Sequence, residues 1–174
     1  GLVGSEMCIR DRGLLEGFKN LGFETYFAIP RSKEERDKLK QPRSSVCFDA
    51  PSWYELVVEG RKIAGSAQTR QKGVILQHGS ILQDIDIDDL FDMFKFKNER
   101  LKAKMKENFV QKAVAINDIS NQHITLNEME NAFEAGFKKG LNIDFKPLEL
   151  TEKQIEEVQE LEEKYRSEAW MYRK

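Results

Sequence analysis

The sequence predicts an α+β protein, an antiparallel or mixed β-sheet packed with helices. Three observations predict it. Between Tyr54 and Ile85, short runs rich in apolar and β-forming residues are separated by glycine-containing turns, as in an antiparallel meander. After Leu90, apolar residues recur at helical spacing, and two Thr-x-x-Glu/Gln capping boxes mark helix starts. Strands lead and helices trail instead of alternating with them, which argues against a doubly wound sheet.

Each element follows from its own residues. Leu14, Leu15, Phe18 and Leu21 have helical spacing, and Gly22 stands where a helix ends. Phe23–Ile29 is a short strand closed by Pro30. Arg31–Arg43 holds six basic and three acidic residues without apolar periodicity, so it reads as a solvated basic segment. Strands then follow over 54–59, 62–70 and 74–85, with turns at Gly60-Arg61 and Lys72-Gly73. Asp88 or Asp89 is placed to cap a helix from Leu90, and Glu99–Lys112 is a charged helix. Thr125-x-x-Glu128 opens a helix to Gly140 with Met129, Phe133 and Phe137 on one face. Ile143–Leu148 is a strand candidate. Thr151-x-x-Gln154 opens a last helix with Ile155, Val158, Leu161 and Tyr165 inward and a wet acidic face.

Composition narrows the function. The chain has 174 residues, 40% hydrophobic and 33% charged, which is an ordinary globular mix. No apolar run approaches the roughly 20 residues of a membrane helix. A net charge of −2 argues against a protein that reads nucleic-acid phosphates. Two cysteines make neither a disulfide scaffold nor a metal site, so no metal is expected, and a reduced, soluble, cytoplasmic setting fits. Residues 1–12, GLVGSEMCIRDR, resemble a translated sequencing-adapter read-through; Cys8 is therefore set aside, and a natural N-terminal part is expected to be missing.

The residues that bear on chemistry lie close together in sequence. Cys47 sits in SSVCFDAPSWYE, just before the meander. It reads either as a small buried hydrophobe or as a nucleophile, and the second reading needs a nearby cation to favour the thiolate. If 54–59 pairs with 62–69 through the Gly60 turn, Lys62 comes back beside the start of the meander, within reach of Cys47. Gly65, Ser66 and Ala67 are too small to fill a core. They mark either a tight strand approach or the floor under an extended ligand. Gln77, His78 and Gly79 lie on the partner strand, where a lone histidine is more often structural than catalytic. Asp84, Asp86 and Asp88 fail as a calcium loop, because the sixth position is Asp89 and the twelfth Lys95; they read as a solvated face.

GRKIAGSAQ (60–68) with LQHGS (76–80), behind a cysteine in a PSWYE context, resembles the biotin/lipoate protein ligase family. Within it, the resemblance is to the octanoyltransferase branch, and KPLELTEKQIEEVQELEEKYRSEAW looks like that branch's tail. The resemblance implies the class II ligase-like fold, incomplete at the N-terminus: residues 13–96 as the C-terminal half of a catalytic domain and 97–174 as its helical region. It implies Cys47 as acyl-thioester nucleophile and Lys62 as the cation that lowers its pKa. Gly65, Ser66, Ala67, Gln68, Gln77, His78 and Gly79 match strands lining the acyl tunnel. The implied donor is octanoyl-acyl carrier protein and the implied acceptor the glycine cleavage H protein or another lipoyl domain, with no cofactor, nucleic acid or membrane. An ATP-dependent lipoate–protein ligase and a non-catalytic carrier-binding fragment are the alternatives.

Overall fold

The computed structural model describes residues 3–28 and 55–173, and the side chains of 12–28, 56–66, 69–74, 76 and 78–173. Cys47 and Arg31–Arg43 lie outside the described residues. Two units make up the chain, Gly1–Ile143 and Asp144–Lys174.

The first unit opens with α1 (Val3–Asn20), a helix running unbroken through residues 12 and 13 and followed by Gly22 at φ +87°. Among the described residues a four-stranded antiparallel sheet follows in the order β1 (Tyr26–Ala28), β2 (Glu55–Val58), β3 (Arg61–Gln71), β4 (Val74–Ile81). Both hairpins turn on two residues with positive φ, Glu59-Gly60 and Lys72-Gly73, the type I′ geometry that matches strand twist. The first turn thus lies one residue earlier than the expected Gly60-Arg61.

Among the described residues, four more helices follow. α2 (Ile87–Asp92) is capped by Asp86, whose side chain accepts from Asp89 N. The expected caps, Asp88 and Asp89, are instead the first-turn acids of that helix, where the helix dipole favours negative charge. α3 (Glu99–Lys112) is capped by Asn98, and a short α4 (Ile116–Ile119), unforeseen in the sequence, precedes α5 (Leu126–Leu141). Thr125 and Glu128 form the expected reciprocal capping box of α5.

Two cores result. The larger joins Leu14 and Phe18 of α1, Leu56, Val58, Ile63 and Ala64 of the sheet, and Met129 and Phe133 of α5. The smaller is aromatic: Phe91 packs against Phe96 and Phe109, beneath α2 and α3. α1 and α5 meet through four glycines. A Cβ on Gly136 would run into Gly17 N and stand 2.7 Å from Gly13 O, and one on Gly140 would stand 2.7 Å from Gly13 N. Reciprocally, Phe133 and Phe137 fill the space a side chain at Gly17 or Gly13 would need. Phe18 and Phe133 meet edge to face at 5.0 Å, Asn20 Nδ2 donates to Ala132 O at 3.0 Å, and Lys139 pairs with Glu16 at 2.6 Å.

The second unit holds α6 (Glu152–Arg166), with its Thr151/Gln154 capping box, and α7 (Glu168–Met171). No strand forms over 143–148; Pro147 and the exposed Phe145 and Leu148 belong to irregular chain. Ile155, Val158, Leu161 and Tyr165 are 45–52% exposed and do not face a core. Tyr165 instead meets Trp170 edge to face at 4.6 Å, and Arg173 stacks over the Trp170 ring at 3.3 Å.

Two stability predictions follow from these contacts. Gly136→Ala gains helix propensity but puts a methyl on Gly17 backbone; a net loss of about 1–3 kcal/mol is expected in urea melts. Thr125→Ala removes the α5 cap at a cost of about 1 kcal/mol. Thr125 N and Oγ1 donate to Glu128 at 2.8 and 2.7 Å and hold its pKa below the ordinary 4.5. A depressed acid stabilises fully above its unfolded value and stops doing so as pH falls through the folded value. In an NMR titration, Glu128 of Thr125→Ala should therefore titrate at higher pH than in the parent chain.

Candidate functional site

The predicted site residues gather on β3 and β4. The register pairs Ser66 with Gly79, Ala67 with His78 and Gln68 with Gln77, so the two small-residue runs are cross-strand neighbours. A Cβ on Gly79 would lie 2.5 Å from Gly65 O and 3.3 Å from Ser66 Cα. Close backbone approach therefore explains glycine at 79. Gly65 is partly buried, and Ser66, His78 and Gly79 are exposed.

Lys62 is different: its side chain is only 9% exposed. It does not return beside the start of the meander. Lys62 pairs with Val57, near the Glu59-Gly60 turn, while Leu56 at the entrance of β2 faces Ala64. Between these pairs β3 advances two residues and β2 only one, so Ile63 is the extra residue of a bulge. The bulge sets the faces. Leu56 and Val57 point to opposite sides of the sheet, so their partners Ala64 and Lys62 do too. Ala64 belongs with Leu56, Val58 and the adjoining Ile81 on the core side, and Ile63 joins them, completely buried. Lys62 falls on the other face, with Val57 and, by alternation beyond the bulge, Gly65, His78 and Ser80. Ser66 and Gly79 fall on the core-side face. The predicted residues are one cluster along the strands but two clusters across the sheet.

The bulge is braced from one side. Val114 N donates to Lys62 O at 3.0 Å and Leu82 N to Ile63 O at 3.4 Å. Ala113 forms a parallel bridge with Lys62, and Ile116 N continues to Leu82 O at 2.8 Å. Asn117 ties this strip down. Its Nδ2 lies 3.0 Å from both Asp84 carboxylate oxygens and 3.1 Å from His123 Nδ1, and its Oδ1 accepts from Ile124 N at 2.8 Å. Three acids expected to be merely solvated thus have partners: Asp84 holds Asn117, Asp86 caps α2, and Asp88 pairs with Lys106. Sequence reasoning missed Ile63, Ala113–Val114 and Asn117. Burial of three consecutive positions, Lys62-Ile63-Ala64, marks the bulge in the fold, but no residue type or spacing in the sequence announces it.

Among the described residues no three His, Cys, Asp or Glu side chains group as metal ligands, and no helix is long and apolar enough to cross a membrane. An open cleft beside Phe23, Tyr26, Glu59 and Gln122 lies at the other edge of the sheet, and none of the predicted site residues lines it. What the strands offer chemically is a sheltered ammonium beside small residues, a combination suited to a negatively charged or strongly polarised group next to an unbranched chain.

The lipoyl protein ligase A/B catalytic domain is the family whose model matches this chain, over residues 12–138, and the chain belongs to that family. Within it, the octanoyltransferase LipM of Staphylococcus epidermidis is 97% identical over 166 residues, covering 95% of this chain and 60% of the relative. Its namesakes in Staphylococcus aureus and Bacillus subtilis are 82% and 58% identical, covering 94% and 93% of this chain and 59% of each relative. The chain therefore spans about three fifths of these relatives. In fold it resembles a bipartite lipoate protein ligase of Thermoplasma acidophilum (TM-score 0.69) and a lipoate-protein ligase A solved with ATP (TM-score 0.65). Each is 22% identical and matches 95% of this chain and 57% of the solved one.

The Gly79 approach yields a direct prediction. Gly79→Val should separate β3 from β4 at Ser66, lowering Tm by several degrees for a loss of about 1–3 kcal/mol. His78→Ala, at a position that is itself exposed, should leave Tm within about 2 °C. Thermal melts of the two variants check it.

Proposed function

We propose that the chain is the reactive part of an octanoyltransferase that moves an octanoyl group from acyl carrier protein to a lysine of a lipoyl-accepting protein, the glycine cleavage H protein, in the cytoplasm. The observation that carries this reading is Lys62, buried on the sheet face of Gly65 and His78 in a chain closely similar to proteins named octanoyltransferase.

In this reading Cys47 is the nucleophile. Its thiolate attacks the carbonyl of the carrier thioester, the tetrahedral adduct expels the carrier thiolate, and a Cys47 octanoyl thioester remains. A neutral lysine amine of the acceptor then attacks that thioester, an amide forms, and the Cys47 thiolate leaves; the amine's proton ends on the released thiol. One thioester replaces another at little cost and the amide draws the second step forward, so no ATP is needed. Lys62 supplies the positive charge that favours the thiolate and steadies the acyl oxygen. Gly65, Ser66, Ala67 and Gln68, with Gln77, His78 and Gly79, leave room for the acyl chain.

Intact mass spectrometry of the chain after incubation with octanoyl-acyl carrier protein, without ATP, tests the reading. One octanoyl adduct is expected, absent from Cys47→Ser. An adduct that survives Cys47→Ser overturns the thioester; an absolute need for ATP favours the ligase alternative. Lys62→Met should slow adduct formation roughly tenfold or more at neutral pH. The deficit should shrink above about pH 8.5, where an unassisted thiol ionises by itself.

A further inference from the structure

Lys62 shares a sheet face with Gly65 and His78 only because of the bulge. With Ala64 kept opposite Leu56, regular register would set Lys62 opposite Val58, on the core side. With Lys62 kept opposite Val57, regular register would set Ile63 opposite Leu56 and turn Gly65 to the core side instead. Relaxing the bulge from either end therefore separates the lysine from Gly65 and His78.

What holds the bulge is a short strip. Ala113, Val114 and Ala115 run from the end of α3 to the start of α4. Val114 N donates to Lys62 O, and Ile116 N donates to Leu82 O. The α3 end of the strip is anchored by Ala113 N, which donates to O of the buried Phe109 at 2.9 Å. At the other end the anchor is Asn117. Its backbone N–H donates to Gln83 O at 2.9 Å, its Nδ2 reaches both Asp84 carboxylate oxygens, and its Oδ1 accepts from Ile124 N. Gln83 Nε2 closes the ring on Ile124 O at 2.8 Å. The titratable groups around the amide are Asp84, His123 on the far side of Nδ2, and Asp118, which accepts from Ala115 N. Only Ala115 and Ile116 lie between Asn117 and Val114, so slack at the amide reaches the Lys62 carbonyl with little chain to absorb it.

We propose that Asn117 is a positioning residue for Lys62: by clamping the 113–117 strip to Asp84 and Ile124, it holds the bulge that keeps the lysine on the face of Gly65 and His78. This deepens, and rests on, the reading that Lys62 favours the Cys47 thiolate. Asn117 acts through the bond from Val114 N to Lys62 O, so its effect on Cys47 is an effect of Lys62.

The test uses the full chain carrying Cys8→Ser, so that Cys47 is its one thiol. Alkylation by iodoacetamide, followed by intact mass against pH, reads the thiolate without an acyl donor. Asn117→Ala should raise the midpoint of that profile by about one pH unit and slow alkylation roughly fivefold to tenfold at pH 7. Lys62→Met should raise it at least as far, and Asn117→Ala added to Lys62→Met should move it no further. Asn117→Asp sets a carboxylate against Asp84 and should also raise the midpoint. Asp84→Asn combined with Asn117→Asp restores a donor–acceptor pair of reversed polarity and the parent's net charge; the midpoint should return to within about 0.3 pH unit of the parent's. Gly136→Ala, which strains the α1–α5 seam away from the strip, should leave the midpoint in place. An unmoved midpoint in Asn117→Ala overturns the proposal, as does a rise that adds to that of Lys62→Met or that Gly136→Ala reproduces. If Asn117→Ala fails to fold, the exchanged pair decides, and a midpoint that stays raised there overturns it. If Lys62→Met leaves the midpoint unmoved, the role of Lys62 falls and this proposal with it. Octanoyl adduct formation by the parent chain reports separately on the transferase reading.

Discussion

Two adjacent carbonyls, those of Lys62 and Ile63, are both claimed from the same side of β3, by Val114 N and Leu82 N. In a regular strand neighbouring carbonyls point to opposite edges, so these two bonds are the signature of the bulge. Much of the unit is arranged around them. Burying Ile63 in the main core fixes the extra residue in place, and Val57 opposite Lys62 fixes the face on which the lysine emerges. A lysine is seldom so buried without a polar or charged partner, and Lys62 does not lack one.

The strip that pins it belongs to the aromatic core as well. Ala113 packs with Phe91 and Phe109, while Val114 and Ile116 belong to the main core. Residues 113–117 are therefore the seam between the two cores, and Asn117 locks the seam to the end of β4 through Asp84. An amide at this point does what neither a carboxylate nor an ammonium does: it donates to Asp84 and accepts from Ile124 N simultaneously.

Much of this was legible in the residues. The meander, the Lys72-Gly73 turn, the α3 span and both capping boxes announce themselves through local chemistry, because turn and cap preferences depend on a few neighbouring atoms. The pairing of the Gly65–Gln68 run with Gln77–Gly79 follows from the turn between them. What was not legible depends on distant partners. A bulge is decided by the strand opposite, so Lys62-Ile63-Ala64 gave no way of telling that the lysine faces away from Ala64. The stripe on α6 has helical spacing, but spacing names a face and not what covers it; its unit contains only α7 besides, which engages Tyr165 through Trp170. The run at 143–148 holds apolar residues without a neighbouring strand to pair with, and Pro147 removes a donor. The glycines of α1 and α5 each look unhelpful in a helix, and their purpose emerges only when the two helices are set side by side.

That glycine seam has a bearing on how the chain folds. Asn20 and Ala132, joined across it, are 112 positions apart in sequence. The candidate site residues on β3 and β4 therefore lie inside one long loop that the seam closes. Closing a loop of that size is entropically steep at the outset but grows only slowly with further length. Contacts of such high sequence separation form late and make folding slow. The hairpins, with their tight type I′ turns, assemble locally; the helices that back them have to find each other across the whole unit. The candidate site thus lies on the locally assembled part of the fold and is enclosed by its most distant contacts.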